Sequence, residues 1–208
     1  MNDKRVEPFL LALSELRARL RLGDVPLDTR LAATEIASEL GLSATPVREA
    51  LSRLAGEGLL EDRRGEGFFV RRLRRADIAV LYRLCHSHLI LAADTWRAEI
   101  PSNPVGAALD DFDDPIDLTE RLLAHWTSFG GSRLLSLSFA RFQAQLGAVR
   151  RLEPRLLDRL PEEAAALSAS QGDRAKRMAL LKTFYNRRVR LAGRLAELLE
   201  EGAGRPAL

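Results

Sequence analysis

A chain of 208 residues, 46% hydrophobic and 29% charged, has ample apolar material for one or two folded domains, and its net charge of only +3 excludes a disordered polyelectrolyte. Its basic residues are almost all arginine (the lysines are Lys4, Lys176 and Lys182), a side chain whose planar fork suits phosphates and base edges and which GC-rich coding also favours. Cys85 is the single cysteine, which excludes an intramolecular disulfide framework; with no charged-then-apolar leader and no apolar run near the ~18 residues of a membrane helix, a soluble cytoplasmic protein with no membrane partner is expected.

Residues 5–21, RVEPFLLALSELRARLR, place Phe9, Leu10, Leu13 and Leu16 at helical spacing. GDVPLD then breaks the pattern. A second helix is expected over about 32–40, stopping at Gly41, where glycine takes the left-handed cap. A third is expected from Pro46 to about Ala55, with Thr45 as its cap and proline where the N–H has no intrahelical partner. On it Val47, Ala50, Leu51 and Leu54 share one face at i, i+3, i+4 and i+7. Thr45 and Ser52 point the opposite way, with Arg48 and Arg53 on the flanks. Leu59 and Leu60, then Phe68, Phe69 and Val70, read as two strands joined by a glycine-bearing hairpin turn, RRGEG.

Two short helices, the second exposing small polar groups and arginines, followed by a hairpin with arginines at its tip, form a winged helix-turn-helix. The second helix of such a pair enters the major groove, and the wing grips neighbouring phosphates or the minor groove. The competing interpretation is an ordinary solvated face on which Glu49 pairs with Arg53 at i+4. The hairpin at the expected distance favours DNA.

The stretch SATPVREALSRLAGEGLL…RRGEGFFV closely resembles the DNA-binding domain of the GntR family of bacterial transcription regulators, over roughly residues 8–72. The resemblance implies DNA contact from Ser43, Thr45 and Arg48, and from Arg64, Gly65 and Glu66 in the wing. Ser52 and Arg53 complete the expected recognition surface. Two positions depart from the family pattern: Ala44 and Thr34 stand where arginine is common. Each lost base-reading arginine is worth about 1–3 kcal/mol, which implies a changed operator, since Arg48 and the wing remain.

Residues 76–208 are similar to the all-helical effector domain of the FadR-like branch, the FCD domain, through DIAVLYRLCHSHLILAADTW, LLAHWTSFGGSRLLSLSFARFQAQL and LSASQGDRAKRMALLKTFYNRRV. The intervening PSNPVGAALDDFDDPID is short and turn-rich, so a helix usual there is expected to be reduced or absent. The expected fold is therefore mostly α: a winged helix-turn-helix over 1–74 with a small β-hairpin wing, then an all-α, FCD-like bundle over 75–208. The resemblance implies a homodimer that binds a palindromic operator in double-stranded DNA under the control of a small-molecule effector.

Many FCD domains hold a divalent metal through one Asp or Asn and three His. The matching positions here are Thr119, Leu123, Glu162 and Phe184, none a histidine, so no metal cofactor is expected. His86 and His88, in CHSH, point about 160° apart on a helix, and His125 lies two residues from a ligand position. Cys85 stands where the family often carries an acid-binding arginine. The candidate effector-binding residues are Arg83, Cys85, His125, Arg141, Glu162 and Phe184. Two alternatives stay open: a metal-responsive regulator with non-standard ligands, and a ligand-independent dimeric DNA-binding protein. No Gly-rich phosphate loop, nucleophile elbow or His-Glu-x-x-His motif suggests an enzyme, and DDFDDPID reads as a solvated loop.

Overall fold

The computed structural model describes residues 7–95, 114–129, 131–170 and 172–203. The chain divides into two compact units, 1–73 with 197–208, and 74–196. The turn-rich stretch with the questioned helix lies, over 101–113, outside the described residues.

In the N-terminal unit, α1 (Pro8–Leu22), α2 (Ala33–Leu40) and α3 (Ala44–Gly56) precede the hairpin β2 (Leu60–Arg63) and β3 (Gly67–Val70). Ala12, Leu13, Leu16 and Leu20 of α1 pack with Val47, Ala50, Leu51 and Leu54 of α3, joined by Ile36, Ala37, Leu60 and Val70. Leu10, counted with the apolar face of α1 from its spacing, is half exposed (50%). Its place toward the core is taken by Ala12, which is fully buried.

Helix α3 begins two residues earlier than its proline suggests. Ser43, in extended backbone, is the N-cap residue, and Thr45 lies inside the first turn. Pro46 is tolerated there because the first turn's N–H groups need no intrahelical acceptor. α2 closes on Gly41 at φ 66, whose successor Leu42 donates to the Ala37 carbonyl at 2.8 Å.

A third strand, β1 (Arg30–Leu31), pairs antiparallel with β3 in the order β1-β3-β2, with Arg30 opposite Phe69 and Leu31 opposite Phe68. Two residues leave no alternation to detect, so sequence periodicity could not show it. In the hairpin, Glu66 donates to the Arg63 carbonyl at 2.9 Å, and Gly65 takes the positive φ (79°) that the turn demands.

The helical unit holds α4 (Arg75–Thr95), α5 (Pro115–Phe129), α6 (Arg133–Arg151), a 3-10 turn (Glu153–Arg155), α7 (Leu160–Ser168) and the start of α8 (Arg174–Ala203). α4 packs on α5 and α6, which also pack on each other, and α5 packs on α7. Contrary to the sequence expectation, α4 is long and apolar enough, by length and composition alone, to cross a membrane. Its Ile78, Tyr82, Cys85, Leu89 and Ala92 are buried within the bundle, the pattern of a core helix.

Candidate nucleic-acid interface

Burial of one side of α3 leaves Ser43, Thr45, Arg48, Glu49, Ser52 and Arg53 exposed and Ala44 partly so. Ser43 makes no side-chain capping bond, so its hydroxyl is available to another acceptor or donor. Thr34 is exposed on α2, and Arg64, Gly65 and Glu66 are exposed at the tip of the wing.

Ion pairing separates the arginines of this unit. Arg53 donates to Glu57 at 2.8 Å, and Arg17 of α1 donates to the same carboxylate at 2.6 Å. The i+4 partner of Arg53 is therefore Glu57, where the sequence suggested Glu49, and Arg53 helps brace α1 to α3. Arg19 spans Glu15 and Glu39. Arg63 is held by Asp28 and Glu61 and lies over the Phe69 ring at 4.1 Å. Arg72 pairs with Glu200, Arg71 donates to the Gly58 carbonyl, and Arg21 is also engaged. Arg48 and Arg64 have no acidic partner among the described residues. A guanidinium without a protein carboxylate keeps its full charge for phosphate or a base edge.

In the helical unit, three of the candidate effector residues, Arg83, Arg141 and Glu162, are exposed, and His125 is half-buried against Phe129. Cys85 is buried, and that burial pushes its thiol up to about 12, so it stays protonated. The four positions matched to the family's metal ligands are Thr119, Leu123, Glu162 and Phe184. Leu123 and Phe184 offer no lone pair, Glu162 faces outward, and the Thr119 hydroxyl accepts from Arg150 Nη2 at 2.6 Å. His86 stacks on Tyr185 at 5.2 Å, while His88 donates through Nδ1 to the Leu84 carbonyl and meets Phe142 edge-on. Among the described residues, no three His, Cys, Asp or Glu side chains gather as metal ligands.

A buried polar network occupies this interior. Glu153 is fully enclosed and accepts from Arg188 Nε and Nη2 (3.0 and 2.8 Å) and from the Tyr82 hydroxyl (2.8 Å). Arg188 also reaches Glu163 at 2.7 Å, so the inward carboxylate of α7 is one residue beyond Glu162, the position that the family resemblance marks. The Arg188 guanidinium lies 3.3 Å from the Phe184 ring centroid. Arg150 stands 3.5 Å from Glu153 and 3.7 Å from Glu120. Burial alone would raise the Glu153 carboxyl, but the charges of Arg150 and Arg188 outweigh it and hold the group below its ordinary value. None of these partners was legible in advance, because amphipathic spacing places arginines outside; the i+3 relation of Arg150 to Glu153 was the sole local clue.

Residues 12–70 match the family described as "Bacterial regulatory proteins, gntR family". A probable D-xylose utilization operon transcriptional repressor of Paenarthrobacter nicotinovorans is 48% identical over 56 residues, 27% of this chain and 25% of that protein. The Nta operon transcriptional regulator of Aminobacter aminovorans is 44% identical over 55 residues, 26% of each chain. The match thus spans about a quarter of the length of these curated relatives. Over nearly the whole chain the fold resembles that of E. coli McbR/YncC (TM-score 0.70, 17% identity, 91% of this chain and 98% of that one). It also resembles a putative GntR transcriptional regulator from Rhodococcus sp. RHA1 (TM-score 0.64, 20% identity, 88% and 96%).

Because a depressed folded-state value favours folding only above the unfolded carboxylate value, Glu153 contributes fully above about pH 5 and loses its contribution as acid protonates it. Glu153→Gln leaves two guanidiniums undercompensated and is expected to cost about 3–5 kcal/mol at neutral pH. The gap from wild type should narrow in acid. Urea unfolding followed by tryptophan fluorescence reads this, since Trp126 is fully buried in the helical unit; a gap unchanged with pH would contradict the ionic role.

Proposed function

We propose, from the membership of residues 12–70 in the gntR family of bacterial regulatory proteins, that the chain is a homodimeric, sequence-specific transcription regulator whose helical unit answers a small molecule without a metal ion. The observation that carries the DNA-binding part is the outward face of α3. Ser43, Thr45 and an acid-free Arg48 stand on it beside a wing tipped by an acid-free Arg64. Arg48 reads a base edge, Arg64 holds a phosphate, and Ser43 and Thr45 complete the reading surface. With Thr34 and Ala44 in place of larger donors, fewer base edges are read by arginine, so the operator differs from that of arginine-richer relatives.

Dimerisation has a physical motive. One such module reads too few bases to stand out among ~10⁶ competing sites, and pairing doubles the site. Val80 and Leu91 on α4 and Leu134 and Leu137 on α6 are large apolar side chains left exposed (48 to 75%), surface that a second copy would cover. The effector acts by population shift: a ligand that prefers the conformer with misplaced reading heads lowers DNA affinity by its differential binding. The reading assigns no catalytic residue.

The metal-free reading rests on Arg150 holding Thr119. A ligand that binds only the native state at 100 times its dissociation constant adds ~2.7 kcal/mol. Zinc, nickel or manganese should therefore leave the melting temperature of the chelator-treated chain unchanged, and a metal-dependent rise would restore the metal-responsive alternative. For the reading head, Arg48→Ala should weaken binding to a selected operator by about 1–3 kcal/mol and relax preference at one base position. An equal loss on every duplex would make Arg48 a phosphate contact only.

A further inference from the structure

We propose that Arg30 is a third DNA contact, a backbone-phosphate ligand carried on the outer edge of the wing; the proposal rests on the DNA-binding reading above. Arg30 is exposed on β1, the strand that sequence periodicity could not reveal. Like Arg48 and Arg64, it has no acidic partner among the described residues. Its nearest acid in sequence, Asp28, is taken by Arg63, which also holds Glu61.

The strand register places the side chain. Arg30 is opposite Phe69, and Phe69 shares a sheet face with Gly67, two residues nearer the turn. A Cβ added at Gly67 would stand 3.5 Å from Arg30 Nε and 3.9 Å from Nη2. The guanidinium therefore lies along the solvent face of β3, directed toward the end of the hairpin where Arg64 sits. Arg63, opposite Gly67 on β2, occupies the other side of the same face, and its two carboxylates neutralise it.

The two outer strands of the wing thus carry one neutralised arginine and one available one. An ion-paired arginine brings a compensated charge and fewer open N–H donors to a phosphate. An unpaired one takes the phosphate directly and releases condensed counterions from the DNA. Arg30 supplies charge beside the wing in a reading head where Thr34 and Ala44 supply none. Only the fold brings it there, because Arg30 and Gly67 lie 37 positions apart in the chain.

The test is a salt titration of the full chain on a labelled, mixed-sequence duplex, read by fluorescence anisotropy. Arg30→Ala should make the slope of log affinity against log salt shallower by about 0.9 per chain, and Arg30→Lys should keep it. Arg19→Ala, which removes an acid-paired guanidinium, should leave the slope unaltered. Arg30→Gln keeps the side-chain stem and should match the alanine variant, with melting curves verifying that both are folded. If Arg30→Ala and Arg30→Gln keep the wild-type slope, the proposal is overturned while DNA binding stands. If wild type itself shows no salt-dependent duplex binding, the DNA-binding reading fails, and the proposal with it.

Discussion

Val47, Ala50, Leu51 and Leu54 are all fully enclosed, and their contact with α1 and α2 sets the rotation of the recognition helix. Full burial of a side chain of this size contributes roughly 1.5–3 kcal/mol for Val or Leu, so turning α3 to hide Arg48 would forfeit several such terms at once. The helix has no comparable freedom to present another face. The ion pairs refine that outcome. Glu57 draws in Arg53 and Arg17, and Asp28 with Glu61 draws in Arg63, so carboxylates occupy the arginines that brace the unit. Arg30, Arg48 and Arg64, which no carboxylate holds among the described residues, are the ones assigned to DNA.

The helical unit uses charge in the opposite way. Arg150, Glu153 and Arg188 sit inside the bundle and join α4, α5, α6, α7 and α8 through Tyr82, Thr119 and Glu163. A buried network of this kind is weak evidence for net stability but is costly to break once formed. Its members come from helices far apart in sequence, so the network forms only when the bundle is assembled.

Much of this was legible in residues 41–73. The apolar spacing of α3, the stop at Gly41 and the two strands around RRGEG are local patterns, and the fold carries each of them. What escaped depended on tertiary partners. Pro46 drew the helix start two residues too late, since proline is acceptable anywhere in a first turn. β1 was too short for alternation. Arg53 had carboxylates at both i−4 and i+4, and only its side-chain direction selects Glu57. In the helical unit, Glu162 and Glu163 differ by one residue and about 100° of helix rotation, which decides which one faces Arg188. Arg150 and Arg188 resembled surface residues because the acid that compensates Arg188 lies 35 residues away.

The central claim is that two reading heads, each presenting Arg48 and Arg64 without an acidic partner among the described residues and paired in a dimer, select a short two-fold symmetric sequence. Its most direct test is selection of bound duplexes by the full chain from a randomised pool, with wild type and Arg48→Ala run side by side. The account predicts that wild type enriches a palindrome whose half-sites lie about one helical turn apart, and that Arg48→Ala loses preference at the same position in both halves. Enrichment of no sequence, or of an unrepeated single half-site, would contradict it.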